Sequence, residues 1–557
     1  MKKIIENEIN KEKEVLITSK KDKFINVLIK ILLVLLACIL SFILIAAITH
    51  TAYFFKYIPS DPAETMHYSK DNILVNLLFS MFLVGTLMII KKIINKINKK
   101  AMIAASIIIT SIIGVLWVNF VKAPVIGDQR YVITTARLFA ENDFENIKES
   151  YFFMHPLQYG CVLGMELIMR LFSSPGNIAF QFINVGFIAA SMYLIYKMTD
   201  KIYQKESISK ILGVLYVITL VIPMFNVVVY GNIFGMFFSL LGIYMLMKFY
   251  EDYKIRYIVI TSISMLFAIM FKSNYQIIMI AMVISLVIDL IKKFKFKTLI
   301  CFASIVLFSL IANPLVYKIV GIRTGKEVNS GIPMITYVAM AIQEKTSRPS
   351  GWYHDSSNVE IIYSQSEYDI EKTKEKSMEI ITERVKAFCK YPIMMIKFYQ
   401  DKICSTWIEP AFQTMWWSTP GGEYERQPQE YKDYIENNEF LNELLFGKYK
   451  SSYLKYLDIV QICIYSLSLV SVVYGIKNNN YNHTNSILLI VFVGGFLFHI
   501  LWETKSIYVI PYYIMLLPSA SNGFEIVNDK INEMILKIKD RKNNKNLKQD
   551  KKVNDNS

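Results

Sequence analysis

The chain has 557 residues, of which 54% are hydrophobic, 14% aromatic and only 19% charged, and its mean hydropathy is +0.34. Soluble proteins carry about 25% charged residues, whereas charge-free runs of membrane-spanning length recur here from residue 31 almost to the end. This pattern excludes a soluble enzyme, a disordered protein and a protein with a single membrane anchor. The net charge of +15 sits in lysine clusters between the apolar runs and in both tails, which favours membrane orientation over nucleic-acid binding.

The first three apolar runs establish the predicted orientation. Residues 31–49, 72–90 and 101–121 are each long enough to cross a hydrocarbon core of about 30 Å. Residues 91–100, between the second and third runs, contain five lysines and no acid, so they are predicted to be cytoplasmic. The N-terminal tail, residues 1–23, is then cytoplasmic, residues 24–121 form three transmembrane helices, and the next loop lies outside.

The remaining chain divides by the same criteria. Parity requires an odd number of crossings between Asp128 and the lysine cluster at residues 197–210, so residues 156–172 are assigned to a re-entrant or juxtamembrane helix. The other predictions are an extracytoplasmic loop (122–176), six transmembrane helices (177–318), an extracytoplasmic domain (319–453), three transmembrane helices (454–525) and a cytoplasmic tail (526–557). The sequence therefore predicts an all-α polytopic membrane protein of about 12 transmembrane helices with an extracytoplasmic domain.

The cysteines and histidines show no metal-binding pattern. The six cysteines form no CxxC pair, and no two of the six histidines occur at i, i+4 spacing. Neither a disulfide framework nor a zinc site is predicted. Cys389 and Cys404 share the predicted external domain, and their spacing leaves open whether they pair.

The first external loop contains the leading candidate for chemistry. Asp128 follows Gly127 just beyond the third helix, and residues 131–140 after it have helical periodicity. One interpretation is that Asp128 caps this helix by accepting hydrogen bonds from its first turn. The alternative is a functional carboxylate, since three other elements are predicted at the same membrane face: the aromatic segment around His155, the turn at Tyr230-Gly231-Asn232, and the segment from Trp502 to Tyr508.

These elements in this order resemble the GT-C class of glycosyltransferases that use polyprenyl-phosphate sugars. The resemblance is to glycosyltransferase family 39 and its bacterial relatives, including protein O-mannosyltransferases and aminoarabinose transferases. It covers residues 100–320 well and the last 60 residues loosely, and it implies a GT-C-type helical bundle. It also implies that Asp128 is the catalytic base, that His155-Pro156-Leu157 matches the family's His-Pro-Pro or Pro-Pro-Leu element, and that Lys272 matches a lysine at an outer turn.

Transfer from such a donor expels a phosphate, so the site needs a base for the acceptor hydroxyl and positive charge near the leaving group. The phosphate candidates are Arg130, Lys272, Lys402 and Lys505. Each lysine has an alternative interpretation, in which it anchors its segment at the membrane interface by snorkelling.

Further binding candidates come from the predicted external segments. Trp407 and Glu409 are candidates for binding sugar, although tryptophan also collects at membrane interfaces without any ligand. The resemblance adds His155, Asn232 and Glu503 to the candidate site. For Glu503, the alternative is an exposed ion pair with Lys505, worth about 0–1 kcal/mol.

Two departures from the family pattern bear on a metal. Gln129 follows Asp128 where many relatives have an Asp-Glu pair, and Asn232 stands where metal-binding members place a second acid. No metal ligand is therefore assigned, no cofactor is firmly predicted, and a divalent metal ion is left open. Neither GxGxxG nor a P-loop occurs, so a nucleotide-sugar donor has no visible site.

The leading hypothesis is a glycosyltransferase of the cell membrane with its active site on the extracytoplasmic face and both termini in the cytoplasm. Its predicted partners are a polyprenyl-phosphate-linked sugar, a glycan, lipid or protein acceptor, and the lipid bilayer, with no nucleic acid. One alternative is a non-catalytic lipid-linked oligosaccharide flippase or other transporter, although no half-to-half repeat is visible. Another is an O-antigen polymerase or ligase.

Overall fold

A computed structural model describes residues 2–54, 65–147, 149–172, 176–344, 348–354, 357–479, 481–482 and 484–554. Nearly all of its regular structure is α-helical. Within these ranges, eight helices are long and apolar enough to cross a membrane, and one bent helix pair also passes as a ninth span. The predicted all-α polytopic fold is confirmed at this level. The number of twelve crossings and the extracytoplasmic placement of residues 319–453 stay predictions.

The N-terminal part contains a short sheet that the sequence did not suggest. Helix α1 (Lys2–Thr49) leads into an antiparallel hairpin of β1 (His50–Phe54) and β2 (Met66–Lys70), with His50 paired to Lys70. Helices α2 (Ile73–Ile94) and α3 (Lys99–Val121) follow, each begun by an asparagine side chain that accepts first-turn N–H groups. The hairpin is a small addition to the predicted all-α fold.

The loop that is predicted to be the first external one folds into short helices. These are α4 (Asp128–Glu141), α5 (Glu149–Met154), a 3-10 turn (Pro156–Gln158) and α6 (Tyr159–Leu171). Helix α6 has 13 residues, a length of about 20 Å at 1.5 Å per residue, which is shorter than a hydrocarbon core. Its Glu166 accepts hydrogen bonds from Arg170 and Arg323. These features support the prediction that residues 156–172 do not cross the membrane.

The central bundle follows. It consists of α7 (Asn177–Tyr203), α8 (Glu206–Ile218), α9 (Val221–Met224), a 3-10 turn (Phe225–Val227), α10 (Gly231–Asp252), α11 (Ile255–Phe271), a 3-10 turn (Ser273–Tyr275), α12 (Gln276–Lys292) and α13 (Phe296–Thr324). The axis bends by 54° after α8. The chain then turns at residues 228–230, where the sequence predicted an outer turn.

The segment predicted to be external is also helical. Its helices are α14 (Met334–Ala341), α15 (Val359–Gln365), α16 (Ile370–Lys390), α17 (Pro392–Trp407), α18 (Thr414–Trp417), a 3-10 turn (Gly421–Arg426), α19 (Gln429–Asn437) and α20 (Glu439–Leu445). Cys389 is exposed, Cys404 is buried, and both are free thiols. The two cysteines that the sequence left open are therefore not paired.

The C-terminal part closes the bundle. Its helices are α21 (Lys448–Asn478), α22 (Ile487–Leu501), α23 (Ser506–Ile514) and α24 (Leu517–Asn554). The predicted crossing at residues 506–524 is thus not one continuous helix, because it breaks between Ile514 and Leu517. Helix α24 packs along α21, and Glu525 forms an ion pair with Lys91.

Candidate active site

Several helix ends meet around a cavity of about 930 Å³. Such a volume is typical of sites for small-molecule ligands. The lining comes from segments distant in sequence: residues 127–129, 154–158, 228–232, 272–274, 330–337, 359–374 and 502–508, together with Tyr353. Of the ten site candidates predicted from the sequence, six line this cavity, namely Asp128, His155, Asn232, Lys272, Glu503 and Lys505.

Asp128 is exposed to the cavity at the start of α4. The interpretation of Asp128 as the helix cap is wrong, because Gly127 occupies the N-cap position and Asp128 is the first helical residue. Gly127 has φ +57, a backbone conformation that suits glycine. Burial and the charge of Asp128 raise the pKa of the Tyr151 hydroxyl well above its usual value. The carboxylate is therefore accessible and close to a neutral tyrosine.

Lys272 enters the cavity between α11 and the following turn. Its ammonium lies 4.1 Å from the ring centroid of Tyr230, within the range of a cation–π contact. Burial lowers its pKa to about 8, although the charges of Asp128 and Glu503 oppose this change. Lys272 thus lies within electrostatic reach of both carboxylates.

A glycine contact fixes the backbone beside Lys272. Gly231, at the start of α10, lies so close to α11 that a Cβ atom there would be 1.8 Å from the carbonyl oxygen of Phe271. No larger residue fits at this distance without movement of the backbone. The turn at residues 230–232 therefore packs directly against the residue that precedes Lys272.

Glu503 and Lys505 lie in the loop between α22 and α23, which we call the 502–505 loop. Both side chains line the cavity and are half-buried. Burial raises the pKa of Glu503, and the charges of Lys505 and Lys272 counteract that rise. The Tyr508 hydroxyl donates to Glu503 at 3.5 Å. The loop thus brings one carboxylate and one ammonium group towards Asp128.

His155 joins the first external loop to the later external segment. Its Nε2 atom lies 2.8 Å from Oε1 of Glu360, and its Nδ1 atom lies 3.2 Å from the Tyr337 hydroxyl. Burial opposes ionisation of Glu360, but hydrogen bonding and the charge of His155 outweigh it, so the pKa of Glu360 is below its usual value. This set forms the side of the cavity contributed by α14 and α15.

The other four candidates do not line the cavity. Arg130 lies on α4 with its guanidinium carbon 5.8 Å from the ring centroid of Tyr131. Lys402 is buried and donates to the carbonyl oxygen of Ala341 at 2.8 Å. Their phosphate contacts stay predictions that the cavity lining does not support.

Trp407 and Glu409 are likewise buried in packed protein. Trp407 packs against the ring of Phe492, with centroids 5.0 Å apart. Glu409 accepts hydrogen bonds from the Ser506 hydroxyl at 3.1 Å and from the N–H of Ala411. Neither side chain lines the cavity, so their contacts with sugar stay predictions that its geometry does not support.

The residues around Asp128 do not form a ready-made set of protein ligands for a divalent metal ion. Across the described ranges, no three His, Cys, Asp or Glu side chains are grouped closely enough to hold one. Asn232 contributes a neutral amide to the cavity lining rather than a second acid.

Two lining residues were missed by sequence reasoning. Tyr337 and Glu360 lie in a long polar segment that has no motif, so neither spacing nor periodicity could distinguish them from their neighbours. Trp502 was named only as the first residue of the segment from Trp502 to Tyr508. Its ring stacks on Tyr337 with centroids 5.5 Å apart and an interplanar angle of 10°. Only the aromatic character of this segment hinted at a ligand surface.

Comparison with protein families supports the resemblance. Residues 160–317 match a family model described as dolichyl-phosphate-mannose-protein mannosyltransferase. The matched region runs from α6 to α13 and includes Asn232 and Lys272. A comparison with curated proteins gives no match. The predicted resemblance is confirmed over this region, which indicates a membrane glycosyltransferase of the GT-C type.

Proposed function

We propose that this protein transfers a sugar from a polyprenyl-phosphate donor to a hydroxyl group of an extracytoplasmic acceptor. One observation carries the proposal: an exposed carboxylate, Asp128, shares a cavity with the ammonium groups of Lys272 and Lys505. A base and a cationic phosphate site are the two elements that this reaction requires. The family match, which covers Lys272, adds the expectation of a lipid-phosphate sugar donor.

The reaction can be written from these groups. A carboxylate oxygen of Asp128 takes the proton of the acceptor hydroxyl as the acceptor oxygen attacks C1 of the sugar. The bond from C1 to the phosphate oxygen breaks, and the polyprenyl phosphate leaves with the electron pair. Lys272 and Lys505 stabilise the negative charge on the departing phosphate. No general acid is required, because a phosphate is already a competent leaving group.

The surroundings of these groups suit a lipid-linked donor. Lys272 and Lys505 both lie where apolar helices end, at the edges of α11 and α23. Phosphate head groups occupy this depth at a membrane interface, and a lysine there can reach them. The aromatic rings of Tyr230 and Tyr508 flank Lys272 at 4.1 and 5.5 Å. The donor sugar would then extend from the phosphate into the cavity towards Asp128.

The test of this function is transfer by purified full-length protein. The protein is incubated in detergent with radiolabelled polyprenyl-phosphate hexoses and with candidate glycan, lipid and peptide acceptors. We expect labelled product with wild-type protein and none with Asp128→Asn. Failure of every donor and acceptor, or equal transfer by Asp128→Asn, would reject the proposal. Vectorial movement of an intact lipid-linked oligosaccharide without transfer would instead indicate a flippase.

The membrane orientation belongs to the same proposal. With both termini in the cytoplasm, Asp128 and the segment 319–453 face the outside. In a cysteine-free background, Glu145→Cys and Glu375→Cys should react with an impermeant thiol reagent in intact cells, because both positions are exposed. Asn95→Cys, also exposed, should react only after the membrane is opened. Labelling of residue 95 in intact cells would show that the proposed orientation is wrong.

A further inference from the structure

One side of the cavity has no role in the proposed step. We call it the external wall and define it by His155, Tyr337 and Glu360, which all line the cavity. It is built from two distant segments that are joined by their backbones, since the N–H of Ile332 donates to the carbonyl oxygen of Met154 at 3.1 Å. The external wall is therefore an assembled surface rather than a mobile loop end.

The hydrogen bonds of the external wall assign the donors and acceptors. The ionised carboxylate of Glu360 can only accept, so Nε2–H of His155 donates to Oε1 at 2.8 Å. The other ring nitrogen, Nδ1, lies 3.2 Å from the Tyr337 hydroxyl. Both ring nitrogens of His155 are occupied, and the ring acts as a spacer that holds Glu360 and Tyr337 in fixed orientation.

The carboxylate of Glu360 can accept further hydrogen bonds. Its Oε2 atom is buried and meets no donor at hydrogen-bond geometry among the described residues, although Tyr353 is near enough to help lower the pKa of Glu360. The side chain as a whole borders the cavity and is 25% exposed. An ionised carboxylate has about four acceptor positions, so the exposed part of Glu360 can accept from a hydroxyl or N–H group of a bound molecule. The external wall thus presents a hydrogen-bond acceptor to the cavity.

The two sides of the cavity differ in the groups that they present. Burial has the largest influence on the pKa of Lys272, and the strongest charges acting on it are Asp128 and Glu503, whereas the strongest charge acting on Glu360 is that of His155. Lys374, which also borders the cavity, is 2.7 Å from the carboxylate of Glu371. The ammonium groups of Lys272 and Lys505 therefore suit a phosphate, and the external wall, with an ionised carboxylate and a tyrosine hydroxyl, suits a neutral molecule rich in hydroxyl groups.

An aromatic surface continues the external wall. The Trp502 ring stacks on Phe498 and on Tyr337, with centroids 5.2 and 5.5 Å apart, and Trp502 and Tyr337 border the cavity. Aromatic rings with one polar end are suited to surfaces that are partly apolar and partly wet. A sugar ring has this same character, because its C–H faces are apolar and its rim carries hydroxyl groups.

We infer that the external wall is the acceptor site and that the acceptor is a neutral glycan, bound through hydroxyl groups that donate to Glu360. This inference rests on the proposed function only in calling the bound glycan the acceptor, because glycan binding can be measured without any donor or turnover. A lipid acceptor that is recognised through its own phosphate is disfavoured at the external wall, because Glu360 presents an ionised carboxylate there.

The experiment is a binding titration of the full-length protein in detergent with mannotriose, maltotriose and chitotriose. Affinities are measured by calorimetry for wild type, Glu360→Gln and Tyr337→Phe. We expect at least one trisaccharide to bind, about tenfold weaker binding by Glu360→Gln, and a smaller loss for Tyr337→Phe. Glu367→Gln is the matched control, because Glu367 is an exposed acid of the same segment that does not line the cavity.

Two further measurements separate binding from folding and from catalysis. Melting temperatures of all variants show whether a loss of affinity reflects unfolding, and the Tyr337→Phe variant tests the external wall even if Glu360→Gln fails to fold. Inorganic phosphate should not compete with the bound trisaccharide. The absence of binding by wild type, unchanged affinity in both variants, or competition by phosphate would overturn the inference. Absence of transfer with intact glycan binding would reject only the proposed function.

Discussion

The 502–505 loop and the segment at residues 402–409 contain the same kinds of residue in very different surroundings. Each has a tryptophan, a glutamate and a lysine, and each lies near the end of an apolar helix. In the 502–505 loop the charged side chains face the cavity, whereas Lys402 and Glu409 are 1% exposed and bonded to protein atoms. Residue type near a membrane boundary therefore identifies candidates but does not rank them.

The two regions are in direct contact, and one supports the other. The Thr406 and Thr504 hydroxyls are 2.9 Å apart, and Ser506, which follows Lys505, donates to Glu409 at 3.1 Å. The N–H of Thr504 also donates to the carbonyl oxygen of Gly351 at 3.1 Å. The buried segment thus holds the loop whose side chains face the cavity. Variants in the loop should change kinetics, and variants in the support should change stability.

The largest effect on transfer is expected at Asp128, which lies outside both regions. The effects of variants in the two regions can be compared with it. Asp128→Asn should lower the transfer rate by about 100- to 10,000-fold, which is the usual contribution of a general base. The melting temperature should stay unchanged, because Asp128 is exposed and does not cap α4. Glu141→Gln, at the exposed end of the same helix, is the control and should retain wild-type transfer.

Lys505→Ala tests the loop side of the comparison. We expect kcat/KM for the polyprenyl-phosphate donor to fall by about 10- to 100-fold, the value of a hydrogen bond to a charged group, with a raised KM for the donor. Lys505→Arg should have a smaller effect in the same direction, because guanidinium differs from ammonium in size, hydration and donor geometry. Wild-type kinetics in Lys505→Ala would show that this lysine only anchors its segment at the membrane interface. Lys272 would then be the remaining phosphate ligand in the cavity.

Lys402→Ala tests the support side. Removal of the ammonium leaves the Ala341 carbonyl oxygen unpaired, so the free energy of unfolding should fall by about 1–3 kcal/mol. The KM for the donor should stay at the wild-type value, because Lys402 does not line the cavity. Thermal or denaturant unfolding in detergent measures the first quantity and donor titration the second. A raised donor KM with unchanged stability would place Lys402 in the site after all.

The smallest effect concerns the pH dependence of stability at Glu409. Burial raises its pKa to about 7 in the folded protein, above the usual value of about 4.3 for an unfolded chain. The folded state therefore holds the proton more tightly, so this contribution to stability is fully present below about pH 4.3 and is lost as the pH rises through 7. The melting temperature of Glu409→Gln should vary less over this window than that of wild type. Identical pH profiles of the two proteins would refute the prediction.

The parts of the fold that follow from hydropathy could be predicted from the sequence. Charge-free runs produced helices because only a helix satisfies its own backbone polar groups in lipid, and lysine clusters separated them correctly. The turns near Tyr230 and Lys272 were also located, since breaks in hydropathy mark helix ends. The hairpin of β1 and β2 was not predicted, because strands of five residues beside a long apolar helix show no distinctive periodicity in the sequence.

The candidate site was only partly predictable. Convergence of Asp128, Lys272 and Lys505 followed from placing helix ends on one membrane face, which is a topological argument. The direction of a side chain is different, because it depends on packing that sequence spacing does not contain. Glu409 and Trp407 were therefore assigned to sugar binding although they are buried, while Glu360 was missed although it borders the cavity. Only contacts between segments about 200 residues apart, such as His155 with Glu360, resolve these cases.

The hairpin has a consequence for the biosynthesis of the protein. The Tyr68 hydroxyl donates to Asp401 at 2.7 Å across 333 residues of sequence, and Asp401 in turn accepts from the N–H of Ser350 at 2.7 Å. At a synthesis rate of about 5–20 residues per second, the ribosome needs roughly 20–70 s to make the intervening chain. This contact of the hairpin must therefore wait until the intervening chain has been made. A chain interrupted before residue 401 would keep the hairpin's contacts with α1 but lack the one with Asp401.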